Sequence, residues 1–149
     1  MENNIYIIDK TVMPTFRYMY TGSLIITPHS LYFIASGKVS NVKIGLMAGV
    51  GGAVVAGVLT AREYRKAFDE SINMENYLKQ LDTLVKEKEG SLKIAKNDIN
   101  TFKVPTGGLF SSIKVKTHEK KYEFNIANAI KEEKLPEIRQ FLANNLYPL

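Results

Sequence analysis

Gly-Ser-Leu-Ile-Ile-Thr-Pro-His-Ser-Leu-Tyr-Phe-Ile-Ala, residues Gly22–Ala35, is the stretch that decides the fold. Two runs dense in β-branched and aromatic side chains, Leu24–Ile26 and Leu31–Ile34, flank the polar tetrapeptide Thr27–Ser30. Such runs favour strands, and Pro28 presets the backbone angle φ that the second residue of a β-turn needs. The stretch therefore predicts a β-hairpin.

Two shorter strands are predicted before the hairpin. Ile5–Ile8 is apolar and favours a strand, and Asp9–Thr11 interrupts it. In Thr15–Tyr20 the aromatic residues recur at period two, which predicts a half-buried strand with one core-facing side formed by Phe16, Tyr18 and Tyr20. If Phe16–Tyr20 is taken as the first strand of the domain, the first strand turn is Thr21-Gly22. Ser36–Lys38 is predicted to end the second strand of the hairpin.

Alternation of apolar and polar residues returns in the second half of the chain and predicts antiparallel strands with one face in water. These segments are Leu92–Ile94, Ile99–Val104, Ile113–Lys116 and Tyr122–Ile126, with turns at Asn97-Asp98 and Thr117–Lys120 and a loop at Pro105–Gly108. A final helix is predicted to begin at Pro136, which suits a first turn. Its apolar face is Leu135, Ile138, Leu142 and Leu146, with Phe141 beside it.

The middle of the chain has a different character. Ile44–Leu59 contains no polar side chain and is rich in glycine. Its sixteen residues reach about 24 Å as a helix, against roughly 30 Å of membrane hydrocarbon. Three interpretations stay open, namely membrane contact, a self-association surface and packing against its own domain. The candidate contact residues are Gly45, Gly49, Val50, Gly52, Val54 and Gly57.

A helical segment follows. Thr60–Glu63 has the form of a capping box that starts a helix. Apolar residues then recur at helical spacing from Tyr64 to Val85, and Gly90 suits a helix C-terminus. Residues 38–90 are therefore predicted to form a helical insertion within a single domain, residues 1–149.

Composition and charge limit the function. The 149-residue chain has no cysteine, which excludes disulfides and thiolate chemistry, and its net charge is +5. Residues 90–125 carry seven of the basic groups and three of the acidic ones. A basic face attracts anionic lipid headgroups, nucleic acid or acidic protein, although a solvated lysine-rich surface explains the same pattern.

Catalytic motifs are absent from the sequence. His29 and His118 each lie in a predicted turn, and neither has a second histidine at metal-ligand spacing. The chain has no nucleophile elbow and no phosphate-binding loop. We therefore expect no enzyme activity, no metal and no cofactor.

The hairpin of the form Gly-x-Leu-x-Ile-Thr-Pro-x-x-Leu-Tyr-Phe, the later short strands and the amphipathic C-terminal helix together resemble the pleckstrin-homology-like superfamily, in particular its GRAM and bacterial PH-like branch. The residues that carry the resemblance are Gly22, Leu24, Ile26-Thr27, Leu31–Phe33, Ile94–Lys96, Asp98-Ile99, Lys121–Phe124 and the helix to Leu146. The resemblance implies an α+β fold, a PH-like antiparallel β-barrel or sandwich capped by a C-terminal helix.

The resemblance also implies a non-catalytic binding module for an anionic membrane surface or a protein partner; nucleic acid is not an expected ligand. Phosphoinositide-specific members use clustered basic residues at the first strand turn, and Thr21-Gly22 has none. By charge alone, the headgroup candidates are Lys114, Lys116, Lys120 and Lys121. The alternative is a structural protein that forms homo-oligomers through the glycine-rich segment. We expect a cytoplasmic protein, peripheral at a membrane if lipid is its ligand.

Overall fold

The computed structural model describes residues 5–40, 74–106, 111–126 and 132–149. This part of the chain contains seven strands and two helices. The strands are β1 (Tyr6–Pro14), β2 (Tyr18–Ile26), β3 (Ser30–Ser40), β4 (Leu92–Ala95), β5 (Ile99–Lys103), β6 (Ser112–Thr117) and β7 (Lys121–Asn125). The helices are α1 (Met74–Glu87) and α2 (Leu135–Asn144), and short 3-10 turns cover Lys96–Asp98 and Glu132–Lys134.

The strands form one antiparallel sheet in the order β4-β3-β2-β1-β7-β6-β5. Two sequential meanders, β1–β4 and β5–β7, meet where β1 pairs with β7 at Val12 and Asn125. The chain then closes with α2. The predicted α+β class, with antiparallel strands and a C-terminal helix, is confirmed at this level.

The predicted hairpin is β2–β3. The Thr27 amide donates to the Ser30 carbonyl at 2.9 Å, and the Thr27 hydroxyl oxygen accepts from the Ser30 amide at 3.0 Å. These bonds close the turn that Pro28 presets, and they set the register in which Ile26 pairs with Leu31.

The hairpin is buried on both faces, and each face belongs to a different core. Leu24, Ile26, Leu31 and Phe33 lie in the main core together with the buried side of α2. The alternate residues Ile25, Tyr32 and Ile34 lie in a second core with Tyr77 and Leu81 of α1. Because successive strand residues point to opposite faces, a continuous apolar run is what such a doubly covered hairpin requires.

A polar contact also holds α1 on the sheet. The Tyr32 hydroxyl donates to Asp82 Oδ1 at 3.2 Å, and Lys93 Nζ donates to the same oxygen at 3.1 Å. The helix thus contacts both β3 and β4. By contrast, β5–β7 have one face in water, as their alternation predicts.

The predictions for residues 9–22 are wrong in three places. β1 continues through Asp9–Thr11 by means of a bulge, in which Lys10 has a φ of 55°. The turn is Thr15–Arg17, and Phe16 is 94% exposed rather than core-facing. Thr21-Gly22 is no turn but lies inside β2, opposite a bulge at Ser36 of β3, and a β-carbon on Gly22 would overlap the Ile34 carbonyl.

The final helix matches its prediction except at its end. α2 begins at Leu135, with Pro136 in the first turn, and buries Leu135, Ile138 and Leu142. The prediction for Leu146 is wrong: the helix ends at Asn144, and Leu146 has a φ of 60° and is 81% exposed. Tyr147 is buried instead, at 4% exposure, and its hydroxyl donates to the Thr27 carbonyl at 2.7 Å.

The predicted insertion is described only in part. Residues 38–40 belong to β3, so the strand does not end at Ser36–Lys38. Residues 74–87 are helical as predicted, and Gly90 has the positive φ, 87°, that suits a chain reversal after a helix. The predicted helix start at Thr60 lies outside the described residues.

Candidate functional site

A cleft of about 550 Å³ opens where the β1–β2 turn meets the start of β7. The residues that line it are Met13–Tyr18, Tyr20, Leu92 and Lys120–Glu123. Its volume lies within the range of roughly 300–1,000 Å³ that is usual for small-ligand pockets. A cleft of this size can hold a small ligand.

The wall of the cleft, Met13, Tyr20, Leu92 and Tyr122, is formed mainly by carbon atoms and continues the main core. Met13 is only 6% exposed, and the other three are half-buried. Burial, aided by the Glu89 carboxylate, raises the pKa of Tyr20 above its ordinary value of 10.0. The wall therefore presents uncharged, largely aromatic surface.

The rim of the cleft, Phe16, Arg17, Lys120 and Lys121, combines an exposed ring with three cations. Lys120 Nζ lies 5.3 Å from the centre of the Tyr122 ring, which is a cation–π distance. The carboxylate of Glu123 also lines the cleft, so the ionised groups there are three cations and one anion. An anionic ligand is favoured at this charge balance.

Lys38 connects Tyr18, which lines the cleft, to the segment that follows α1. Lys38 Nζ forms an ion pair with Glu89 Oε2 at 2.5 Å and lies 4.6 Å from the centre of the Tyr18 ring. The hydrogen bond to Glu89 raises the pKa of Lys38. These contacts connect the aromatic residues of β2 to the end of the predicted insertion.

Two of the four predicted headgroup lysines line the cleft, and one of these two, Lys121, also shares the outer face of the sheet with the other pair. Lys120 and Lys121 lie at the cleft, whereas Lys114 and Lys116 are exposed on the outer face of β6. On that face Lys116 is opposite Lys121, and Lys114 lies between Lys103 and Glu123.

Sequence reasoning missed Phe16 and Arg17 as site residues. The signal that could have found them is Pro14 followed by Thr15, because proline is favoured at strand ends and threonine closes turns with its side chain. The Thr15 amide and hydroxyl both donate to the Tyr18 carbonyl at 2.8 Å, which leaves Phe16 and Arg17 at the tip.

Other predicted site residues are placed as follows. Both histidines are exposed in turns, and His118 Nδ1 lies 3.5 Å from Asn100 Nδ2. Gly45, Gly49, Val50, Gly52, Val54 and Gly57 lie outside the described residues. Within the described residues, no group of three or more metal-ligating side chains comes together.

No helix in the described part of the chain combines the length and the apolar character needed to cross a membrane.

No protein-family model matches the chain. A search of curated proteins finds no significant match.

Proposed function

We propose that this chain is a non-catalytic binding module of the pleckstrin-homology-like, GRAM-like type, which attaches to anionic membrane surfaces through the rim of the cleft. The PH-like assignment is supported by the strand order, in which two meanders meet through β1 and β7, and by the closing helix α2. These two features support the same assignment as the sequence pattern of the hairpin.

The proposal rests mainly on the exposure of Phe16 beside Arg17. A phenylalanine that is 94% exposed stands at the tip of the β1–β2 turn, and Lys120 and Lys121 lie on the other side of the same cleft. An apolar ring that shares a cleft with three cations suits the boundary between anionic headgroups and acyl chains, where the ring leaves water and the cations stay at headgroup depth.

The expected strength of this attachment is low. Each cation near an anionic leaflet contributes about 1 kcal/mol, and burying a phenylalanine side chain contributes about 1.5–3 kcal/mol. With Glu123 opposing one cation, the rim supplies about 4 kcal/mol, a dissociation constant of about one millimolar in lipid. Lys114 and Lys116 on the outer face would add to the attraction at low salt.

Co-sedimentation with vesicles tests the proposal. The unmodified protein should bind vesicles that contain phosphatidylglycerol and should not bind phosphatidylcholine alone. Added salt should weaken the binding because it screens the cations. The double variant Lys120→Gln/Lys121→Gln should bind about thirtyfold more weakly, from the loss of about 2 kcal/mol.

A matched variant controls for total charge. Lys79→Gln/Lys134→Gln removes the same two charges from exposed positions on α1 and before α2, where each lysine forms a surface ion pair. It should bind vesicles as the unmodified protein does. Equal losses in the two double variants would mean that only net charge matters, and equal binding to both kinds of vesicle would refute the proposal.

A further inference from the structure

The cleft has an apolar wall that attachment of its rim to a charged surface does not require. The cations share the cleft with the wall of Met13, Tyr20, Leu92 and Tyr122, which is continuous with the main core. A headgroup phosphate or sugar would leave this carbon surface in contact with water. The wall instead suits a ligand with an apolar part, because pockets that bind such ligands pair apolar walls with a few placed polar groups.

The charged and the apolar lining residues can be ordered by exposure. Arg17, Lys120 and Lys121 are exposed, whereas Met13 is almost fully buried. A ligand that matches this order has an anionic head and a hydrocarbon tail. Lys120 Nζ lies 5.3 Å from the centre of the Tyr122 ring, so a positive charge for the head stands close to a ring that can contact the tail.

We propose that the cleft binds one acyl chain that carries an anionic head, with the head on Arg17, Lys120 and Lys121 and the chain against Met13, Leu92 and Tyr122. This inference rests on the proposed function for the rim and goes beyond it, because attachment to a membrane does not require a chain inside the protein. The chain can come from a soluble fatty acid or from a lipid of the bilayer.

Chain length is the sharpest test. Calorimetric titration of the unmodified protein with octanoate, decanoate and dodecanoate, below their micelle concentrations, should give roughly fourfold tighter binding for each methylene that becomes buried. Dodecyltrimethylammonium, which has the same chain and a cationic head, should bind at least tenfold more weakly than dodecanoate. Equal affinity for octanoate and dodecanoate, or for the two head charges, would overturn the inference.

Methyl NMR of the unmodified protein locates the chain and identifies its source. Dodecanoate should shift the methyl signals of Met13 and Leu92 and leave Leu81, in the second core, unchanged. Shifts at Met13 and Leu92 with dodecanoate indicate a soluble source, and the same shifts with phosphatidylglycerol vesicles alone indicate a bilayer lipid. No shift at these two residues with either probe overturns the inference.

A blocking variant gives a second readout. Leu92→Trp fills the cleft and should weaken dodecanoate binding at least tenfold, while Leu78→Trp makes the same change at a half-buried position in α1 and should leave it unchanged. Thermal unfolding of both variants shows whether they are folded, and the titrations and NMR of the unmodified protein decide the question if they are not.

The two proposals fail separately. Vesicle binding that depends on Lys120 and Lys121, without any effect of chain length, would leave the proposed function standing and remove the acyl-chain site. Dodecanoate binding at Met13 and Leu92 without vesicle binding would leave the acyl-chain site standing and refute the proposed function.

Discussion

Gly90 lies against the ring of Tyr20, so closely that a β-carbon at this position would overlap the ring atoms. Gly90 follows α1, and Tyr20 belongs to the wall of the cleft. The chain that returns from the predicted insertion is therefore part of the support of the cleft. Only glycine combines the φ of 87° with this close approach.

Replacing Gly90 should destabilise the protein. Gly90→Ala places a residue that has a side chain in the left-handed backbone region and pushes its β-carbon against the Tyr20 ring. We expect a loss of about 1–3 kcal/mol in the free energy of unfolding. Urea denaturation measures it. Lys88→Ala, two residues earlier and exposed, should change the free energy of unfolding by less than about 0.5 kcal/mol. Similar values for the two variants would refute the proposed close contact.

The second core should contribute strongly to stability. Leu81 is 1% exposed between α1 and the outer face of the hairpin, so Leu81→Ala should cost about 2–5 kcal/mol in unfolding free energy. Leu78→Ala, on the same helix and half-buried, should cost about half of that or less. If Leu81→Ala costs under 1 kcal/mol, α1 is not packed as described.

The buried tyrosine near the C-terminus should make the protein sensitive to alkali. Burial raises the pKa of Tyr147 above its ordinary value of 10.0, with a smaller contribution from Tyr32. A raised pKa favours the protonated form in the folded state. The stabilisation is therefore complete below pH 10 and is lost as the unfolded chain ionises above it, by up to about 1.4 kcal/mol per pH unit.

Tyr147→Phe separates this effect from the rest. At neutral pH the variant should lose about 1 kcal/mol of unfolding free energy, because the hydroxyl no longer donates to the Thr27 carbonyl. Above pH 10 its free energy of unfolding should fall less steeply than that of the unmodified protein. Chemical denaturation at a series of pH values measures both, and parallel pH profiles would contradict the assignment.

The elements predicted correctly from the sequence are those in which the turn or cap residues and the apolar spacing indicate the same structure. The hairpin around Pro28 and the helix at Pro136 carry turn or cap residues as well as the right apolar period. The errors fall where a local pattern has two structural outcomes. Phe16, Tyr18 and Tyr20 alternate as in a strand, but the hydrogen bonds of Thr15 to the Tyr18 carbonyl turn the chain before that strand begins.

The bulges and the helix end could not be predicted for a related reason. Asp9–Thr11 looks like a break, yet a single residue with positive φ, Lys10, lets β1 continue. Leu146 fits the apolar spacing of α2, but the spacing does not show that the helix stops at Asn144. The cleft depends on which ends of β1, β2 and β7 meet, and that relation between distant segments is not contained in any local pattern.

The most direct measurement uses the absence of tryptophan from this chain. Phe16→Trp places a single fluorophore at the tip of the β1–β2 turn. Leu146→Trp places one beside Tyr147, which binds Thr27 at the opposite end of β2 from Tyr18. We expect vesicles containing phosphatidylglycerol to shift the emission of Trp at position 16 to shorter wavelength, and brominated lipids to quench that emission. Neither change is expected for Trp at position 146. No shift at position 16, or equal shifts at both positions, would contradict attachment through the rim.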